Sequence, residues 1–240
     1  MYKRVLLKLS GEALKHDSGN QIIDSNYLKS IAEIIKSLYL EGIEIAIVIG
    51  AGNIYRGKLA TEIGIDRVKG DFMGMMGTVI NALAVSSALK NIDVPNVVYS
   101  ALPGISDIVL DYNKDSADKS LKEGKVIFLS GGTGKPYFTT DTACTLYAKE
   151  LHMDAVLVAK NGVNGVYSDD PNKNKDAKFI KNILFREMIE NNLQIMDLSA
   201  IELIKDEDIE IRIFSMDEPS NFLDVVHGKD IGTICKKEGK

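Results

Sequence analysis

Three stretches of this 240-residue chain carry residue types that could hold and move a phosphate. The longest is residues 126–144, VIFLSGGTGKPYFTTDTAC. A run of β-formers from Val126 to Leu129 stops at Ser130, and Gly131, Gly132 and Gly134 follow, with Thr133 between them. Thr139, Thr140 and Asp141 then open an apolar periodic segment. Glycines let main-chain N–H groups approach an anion closely. A helix N-terminus adds further N–H donors and the positive end of a dipole. A tight turn with a helix cap would give the same pattern. A Walker A loop is excluded, because Leu129 stands where its first glycine belongs and Pro136 follows Lys135.

The second stretch is Val5 to Gly11, an apolar run that ends in a glycine turn and contains one charge, Lys8. Two readings are open for Lys8: an edge-strand position with its amine in water, or an ammonium at a strand end aimed at phosphates. The third stretch is Gly50-Ala51-Gly52-Asn53-Ile54-Tyr55-Arg56-Gly57, directly after the apolar run Ile43 to Ile49. Tyr55 occupies the place of the third glycine of a dinucleotide fingerprint, so that reading fails. Two glycines and an arginine after a buried strand remain a credible phosphate-contact loop.

These stretches must be positioned by the elements around them. Asp24-Ser25 caps a helix with apolar positions at Leu28, Ile31, Ile34, Ile35 and Leu38, ended by Gly42. Asp71 to Lys90 reads as a long helix, with Met73, Met75 and Met76 as soft core packing and Gly74 and Gly77 as points of close approach. Strands are expected at Asn96–Ala101, Val126–Leu129, Ala155–Ala159, Ile209–Phe214 and Thr233–Cys235. Helices are expected over 116–122, 140–151, 187–191, 198–205 and 221–226, with a polar loop from Lys160 to Lys178. Alternating strands and helices imply a mostly parallel sheet covered by helices on both faces, with ligands at the carboxyl ends of the strands. The Gly-rich and charged segments all follow strand ends, so they can converge. No Pro/Gly/Ser linker divides the chain, and residues 1–240 are read as one domain.

Composition sets outer bounds. Hydrophobic residues make up 45% and charged residues 26%, values ordinary for a globular protein rather than a disordered one. A net charge of −5 argues against a non-specific nucleic-acid binder, so an anionic substrate must be held by local donors. No apolar run reaches membrane-spanning length, and no membrane partner is expected. Cys144 and Cys235 form no framework, which points to a reducing cytoplasm and to buried apolar roles. His16, His152 and His227 are scattered without ligand spacing, against a zinc site or a histidine-based triad.

Five segments taken together resemble the bacterial uridylate kinase (UMP kinase) family of the amino-acid kinase superfamily. They are Lys8-Leu9-Ser10-Gly11-Glu12-Ala13-Leu14, the Gly50 to Gly57 loop, Gly70-Asp71 into Met73-Gly74-Met75, Gly132-Thr133-Gly134 through Asp141, and Gly165-Val166-Tyr167 with Asp170-Pro171. The resemblance runs from about Lys3 to Thr233. It implies a three-layer α/β/α sandwich with a mostly parallel central sheet. It further implies transfer of the ATP γ-phosphate to UMP with magnesium accompanying ATP, no dedicated protein metal site, and a homohexamer.

By the same resemblance, ATP contacts fall on Lys8, Leu9, Ser10, Gly11, Gly52, Arg56, Asn161, Tyr167 and Asp170. UMP contacts fall on Ala51, Asp71, Thr133, Gly134, Lys135, Pro136, Tyr137, Phe138, Thr139 and Thr140. Lys8, Arg56, Asp141 and Asp197 are the expected catalytic set. Such a set suits phosphoryl transfer, which needs alignment and charge neutralisation more than covalent help.

Three departures stand out: Ala51 for a common glycine, Asn164 for a usual aspartate, and a His16–Ile22 stretch without the Gly-Phe-Gly pattern. Between residues 86 and 125, where an effector triphosphate would need cations and a stacking partner, the chain offers Ser86, Lys90, Val97 and Lys114. Weak or absent activation by GTP is therefore expected, with inhibition by UTP retained through the UMP pocket. A kinase for a carboxylate or carbamate acceptor on the same fold is one alternative, opposed by Asp71 and the Thr133–Asp141 segment. A non-catalytic nucleotide- or oxoanion-binding relative is another, opposed by Lys8, Arg56 and Asp141.

Overall fold

A computed structural model describes residues 1–15, 21–55, 62–169, 173–191, 193 and 196–239. Its frame is a nine-stranded sheet in the order β4-β3-β5-β2-β1-β6-β10-β11-β9. The strands are β1 (Arg4–Leu9), β2 (Glu44–Ile49), β3 (Asn96–Ser100), β4 (Leu110–Asp111), β5 (Val126–Ser130), β6 (Ala155–Lys160), β9 (Asn182–Leu184), β10 (Glu210–Ser215) and β11 (Thr233–Lys236). Every pairing is parallel except that of β10 with β11. A separate antiparallel ribbon pairs β7 (Val166–Tyr167) with β8 (Phe179–Ile180) inside and beyond the expected polar loop.

Alternation sorts the central strands onto two cores. Val5, Leu7 and Leu9 of β1 pack with Ile45, Ile47 and Ile49 of β2 and with Leu157 of β6 on one face. Helices α1 (Ser25–Leu40), α2 (Arg67–Lys90) and α7 (Ser220–Val226) cover that face. Leu6, Val48, Val156 and Val158 look the other way, under α3 (Lys114–Lys122), α4 (Thr140–Glu150), α5 (Phe185–Glu190) and α6 (Leu198–Ile204). The result is the expected three-layer sandwich.

Some boundaries move. The helix expected from Asp71 begins four residues earlier, because Asp66 is the residue that caps it, accepting from the backbone N–H groups of Val68 and Lys69. Of the three methionines assigned to the core, only Met75 is buried; Met73 and Met76 are 41% and 57% exposed, on the outer side of the helix. α2 is long and apolar enough to cross a membrane by composition, yet half of that span is buried against the sheet and α1, as in a core helix.

The strand order decides the position of Lys8. β1 lies between β2 and β6, with Lys8 opposite Val48 on one side and Val158 on the other. The edge-strand reading is ruled out. The chain runs from β1 to β2 on one side and later returns from β5 to β6 on the other. The carboxyl end of β1 is thus a topological switch point, where open α/β sheets leave a crevice for ligand.

Candidate active site

Lys8 points to the second face and meets the first turn of α4. Its Nζ lies 2.9 Å from Asp141 Oδ1, with both side chains less than one-fifth exposed. Burial alone would push the ammonium toward deprotonation; the charge and hydrogen bond of Asp141 outweigh it and hold Lys8 above the usual lysine range. Asp197, immediately before α6, adds to that pull from further off. Thr139 occupies the N-cap position of α4 but does not cap it with its side chain. Its hydroxyl donates to the Asp197 carboxylate instead. Lys8, Asp141, Thr139 and Asp197 therefore form one connected group at the N-terminus of α4.

The loop after β2 is fitted against the turn after β1. A Cβ on Gly11 would lie 2.4 Å from Asn53 Oδ1 and 2.5 Å from the Gly50 carbonyl oxygen, so only glycine permits this approach. Buried Asn81 of α2 fixes the same loop. Its amide donates to the Gly50 carbonyl at 2.7 Å and exchanges hydrogen bonds with Asn53 at 2.8 and 3.0 Å. Sequence reasoning gave neither asparagine a role, since nothing local marks a pair 28 residues apart.

The loop after β5 turns through positive φ at Gly131, Gly132 and Gly134 (76°, 57° and 72°), which side-chain-bearing residues rarely adopt. The Gly131 N–H donates to Thr78 Oγ1 at 2.8 Å, which ties this loop to α2. Further on, the Tyr137 N–H donates to Asp71 Oδ2 at 2.7 Å, and Arg67 Nε reaches Asp71 Oδ1 at 2.9 Å. The Arg67 guanidinium also sits over the Tyr137 ring, 5.8 Å from its centroid.

Between these parts lies a cleft of about 280 Å³, lined on one side by a helical stripe of α2 that includes Arg67, Asp71, Met75 and Thr78. Ala51 and Tyr55 line it from the β2 loop, and Gly132, Phe138, Thr139 and Thr140 from the β5 loop. The structure thus brings Ala51, Asp71, Phe138, Thr139 and Thr140 to one cleft, with Tyr137 attached to it through Asp71. Thr133, Gly134, Lys135 and Pro136 are not part of its wall; they form the turn that leads into it, closed by a Gly134 N–H bond to the Gly131 carbonyl at 3.0 Å. Arg67 and Thr78 were missed, although their spacing from Asp71 follows the helical period.

On the opposite side of β1, Asn161 follows β6 and is exposed. The next N–H, of Gly162, donates to the Asp217 carboxylate at 3.1 Å. Tyr167 lies outside the cleft, in the β7/β8 ribbon, where its ring meets Phe179 edge-on at 5.4 Å. Ser10 accepts from the Glu12 N–H at 3.3 Å, starting the 3₁₀ turn Gly11–Leu14. Arg56 and Asp170 lie outside the described residues, as do residues 16–20 of the altered loop.

Among the described residues no cluster of three or more His, Cys, Asp or Glu side chains could cage a metal ion. Asp141 is committed to Lys8, which leaves Asp197 as the further carboxylate of the group. A single carboxylate beside Lys8 could give one oxygen ligand to a hard divalent cation whose other ligands come from elsewhere.

The profile of the amino acid kinase family matches residues 3–215. A uridylate kinase of Mycoplasmopsis pulmonis is 45% identical over 95% of this chain and 94% of its own. That of Vesicomyosocius okutanii is 48% identical over 98% and 99%. Among solved structures, a UMP kinase from Bacillus anthracis superposes with a TM-score of 0.95 at 38% identity, covering 99% of this chain and 97% of that one. The one from Ureaplasma parvum gives 0.92 at 35%, over 99% and 100%. The chain belongs to the amino acid kinase family, in its uridylate kinase branch.

Proposed function

We infer that this chain transfers the γ-phosphate of ATP to UMP, giving ADP and UDP. The observation that carries the reading is the Lys8–Asp141 pair. It stands near the carboxyl end of the central strand, with Asp141 next in sequence to Thr139 and Thr140, which line the cleft walled by α2 and the β5 loop. Relatives 45–48% identical over nearly the whole chain, all uridylate kinases, support the acceptor.

In this reading UMP occupies the cleft, with Asp71 toward the ribose and the β5 loop and α4 N-terminus toward its phosphate. ATP lies across β1, toward β6. The γ-phosphorus loses its bond to the β,γ-bridging oxygen, whose electron pair stays on ADP, and gains one to a UMP phosphate oxygen. Lys8, already fixed by Asp141, neutralises charge on the moving group without reorganising. Arg56, Asn161, Tyr167 and Asp170 complete the donor side in the proposal. A magnesium ion carried by ATP would be held by the phosphates and, on the protein side, by Asp197; when bound it supplies further charge neutralisation.

A homohexamer in the cytoplasm, serving pyrimidine nucleotide synthesis, belongs to the same reading. Phe72, Met73, Met76 and Ile80 give α2 an exposed apolar stripe, which supports a contact between copies. Free, buried Cys144 and Cys235 agree with a reducing compartment.

The test offers ATP and magnesium with UMP, acetylglutamate, aspartate or glutamate as acceptor. Phosphorylation of UMP alone is expected; phosphorylation of a carboxylate instead would replace this reading with the same-fold alternative. Regulation gives a second expected result. Ser86 is buried and donates to Asn96 at 2.6 Å, which leaves Lys90 and Lys114 as exposed cations without an aromatic platform among those four positions. GTP should raise the initial rate at subsaturating UMP and ATP little or not at all, while UTP inhibits. A several-fold saturable rise with GTP would contradict this.

A further inference from the structure

Thr233 opens β11 and is completely buried, yet it belongs to no part of the site described above. Its hydroxyl stands between the two strands of the β7/β8 ribbon. It accepts from the Val166 N–H at 2.9 Å and donates to the Ile180 carbonyl. Val166 and Ile180 face each other across the ribbon, and the next pair along is Tyr167 with Phe179. One hydroxyl thus joins both strands of the ribbon to the main sheet, where Thr233 pairs with Ile213 of β10. The approach is tight: a Cβ on Gly165 would lie 2.6 Å from Thr233 Oγ1 and 2.8 Å from Phe179 Cε2. The chain entering the ribbon is held at a second point, where the Gly162 N–H meets Asp217, itself bonded by Ser215 Oγ at 2.7 Å.

We propose that Thr233 is a positioning residue for the nucleotide donor: its hydroxyl holds the β7/β8 ribbon so that Tyr167 is set in place for the base of ATP before ATP arrives. This rests on the kinase reading above, in which Tyr167 serves the donor side. A ribbon with two paired residues in each strand is marginal by itself, so its anchorage decides how often it is formed. Val166 and Ile180 turn inward onto the second core. Tyr167 and Phe179, one residue on, carry their paired rings on the other face. Without the hydroxyl, the Val166 N–H and the Ile180 carbonyl lose this partner in a buried place, which favours opening of the ribbon. ATP then meets a site that is ready only part of the time. Its apparent affinity falls by that fraction, while the complex once formed reacts as before. The walls of the acceptor cleft come from α2 and from the β2 and β5 loops, on the far side of β1 from β11, so UMP should not register the change.

The experiment compares wild type with Thr233→Val, Thr233→Ser, Gly165→Ala, Tyr167→Ala and the double variant Thr233→Val with Tyr167→Ala. It measures kcat, KM for ATP and UMP, calorimetric binding of ADP and of UMP, and amide exchange. Thr233→Val keeps the shape and removes the hydroxyl. It should raise KM for ATP and weaken ADP binding by about tenfold, with kcat and UMP affinity within about twofold of wild type. Exchange should quicken over residues 166–168 and 178–180. Thr233→Ser keeps the hydroxyl and should restore most of the ADP affinity. Gly165→Ala crowds the same hydroxyl from the ribbon side and should reproduce the loss, even where Thr233→Val does not fold. Once Tyr167 is alanine, adding Thr233→Val should cost little further ADP affinity, because the hydroxyl acts through that ring. A merely structural threonine would instead weaken both nucleotides alike and give additive losses in the double variant. That pattern, or ADP affinity near wild type with the ribbon loosened, would overturn the proposal. A wild-type enzyme that binds ADP but does not phosphorylate UMP would sink the reaction assigned above; the ADP affinities would still decide the role of Thr233.

Discussion

Replacing Lys8 by alanine should lower turnover by about two orders of magnitude or more, while UMP affinity changes little. A hundredfold loss is about 2.7 kcal/mol of barrier, the scale of removing one preorganised donor from a developing charge. The structure explains the asymmetry between turnover and binding. Lys8 stands in β1, outside the walls of the acceptor cleft, with its amine fixed at 2.9 Å from Asp141. In the proposed reaction the group is in place before any substrate arrives, and its work would fall where charge is redistributed during transfer. Removing it also leaves Asp141 without its ion pair beside the incoming phosphates, which adds repulsion. Steady-state kinetics with calorimetry of UMP binding checks this. Near-normal turnover, or a large loss of UMP affinity at unchanged turnover, would remove Lys8 from the transfer step.

The second large effect is expected at Asp71. Asp71→Asn should weaken UMP binding far more than ATP binding and narrow the preference for UMP over dUMP. A site built to bond a hydroxyl penalises its absence, and an amide in place of the carboxylate weakens that bond. Asp71 also accepts from Arg67 and from the Tyr137 N–H, so its charge holds the β5 loop against α2 as well as facing the cleft. Asparagine keeps one acceptor oxygen but loses the ion pair with Arg67. The loss of UMP affinity should therefore come with a loosened 137–140 segment, readable as faster amide exchange there. Unchanged UMP affinity with weakened ATP would place Asp71 on the other substrate.

Much of this site was legible because its pieces sit at strand ends, and strand ends are marked locally. The apolar run into Gly50, the strand beginning at Val126 and the glycines after it, and the start of α4 at Thr140 were all readable from residue type and period. What the sequence withheld is order across the sheet. Lys8 could be an edge or a central residue until β6 was found beside β1, a pairing of segments about 150 residues apart. The same limit hid Asn53 with Asn81. The end of β6 was misplaced for a different reason: the polar loop that follows masked the membership of Lys160, although the alternation Val156, Val158, Lys160 was in view. Asp71 was taken for the helix start, but the capping residue is Asp66, which begins the helix one turn earlier. Met73 and Met76 show the reverse error, apolar side chains left outside, where the local pattern does not say what covers them.

The most direct test of the central claim is release of ADP from ATP and magnesium, coupled to a spectrophotometric readout, with UMP, CMP, dUMP and AMP offered separately. A cleft that presents Asp71 to a ribose and the β5 loop to a single phosphate should give rapid, saturable ADP release with UMP and slower release with dUMP, while membership of the uridylate kinase branch, rather than those two contacts, carries the expectation of rates near the acceptor-free background with CMP and AMP. Equal rates with all four, or a rate with UMP no higher than without acceptor, would contradict the account.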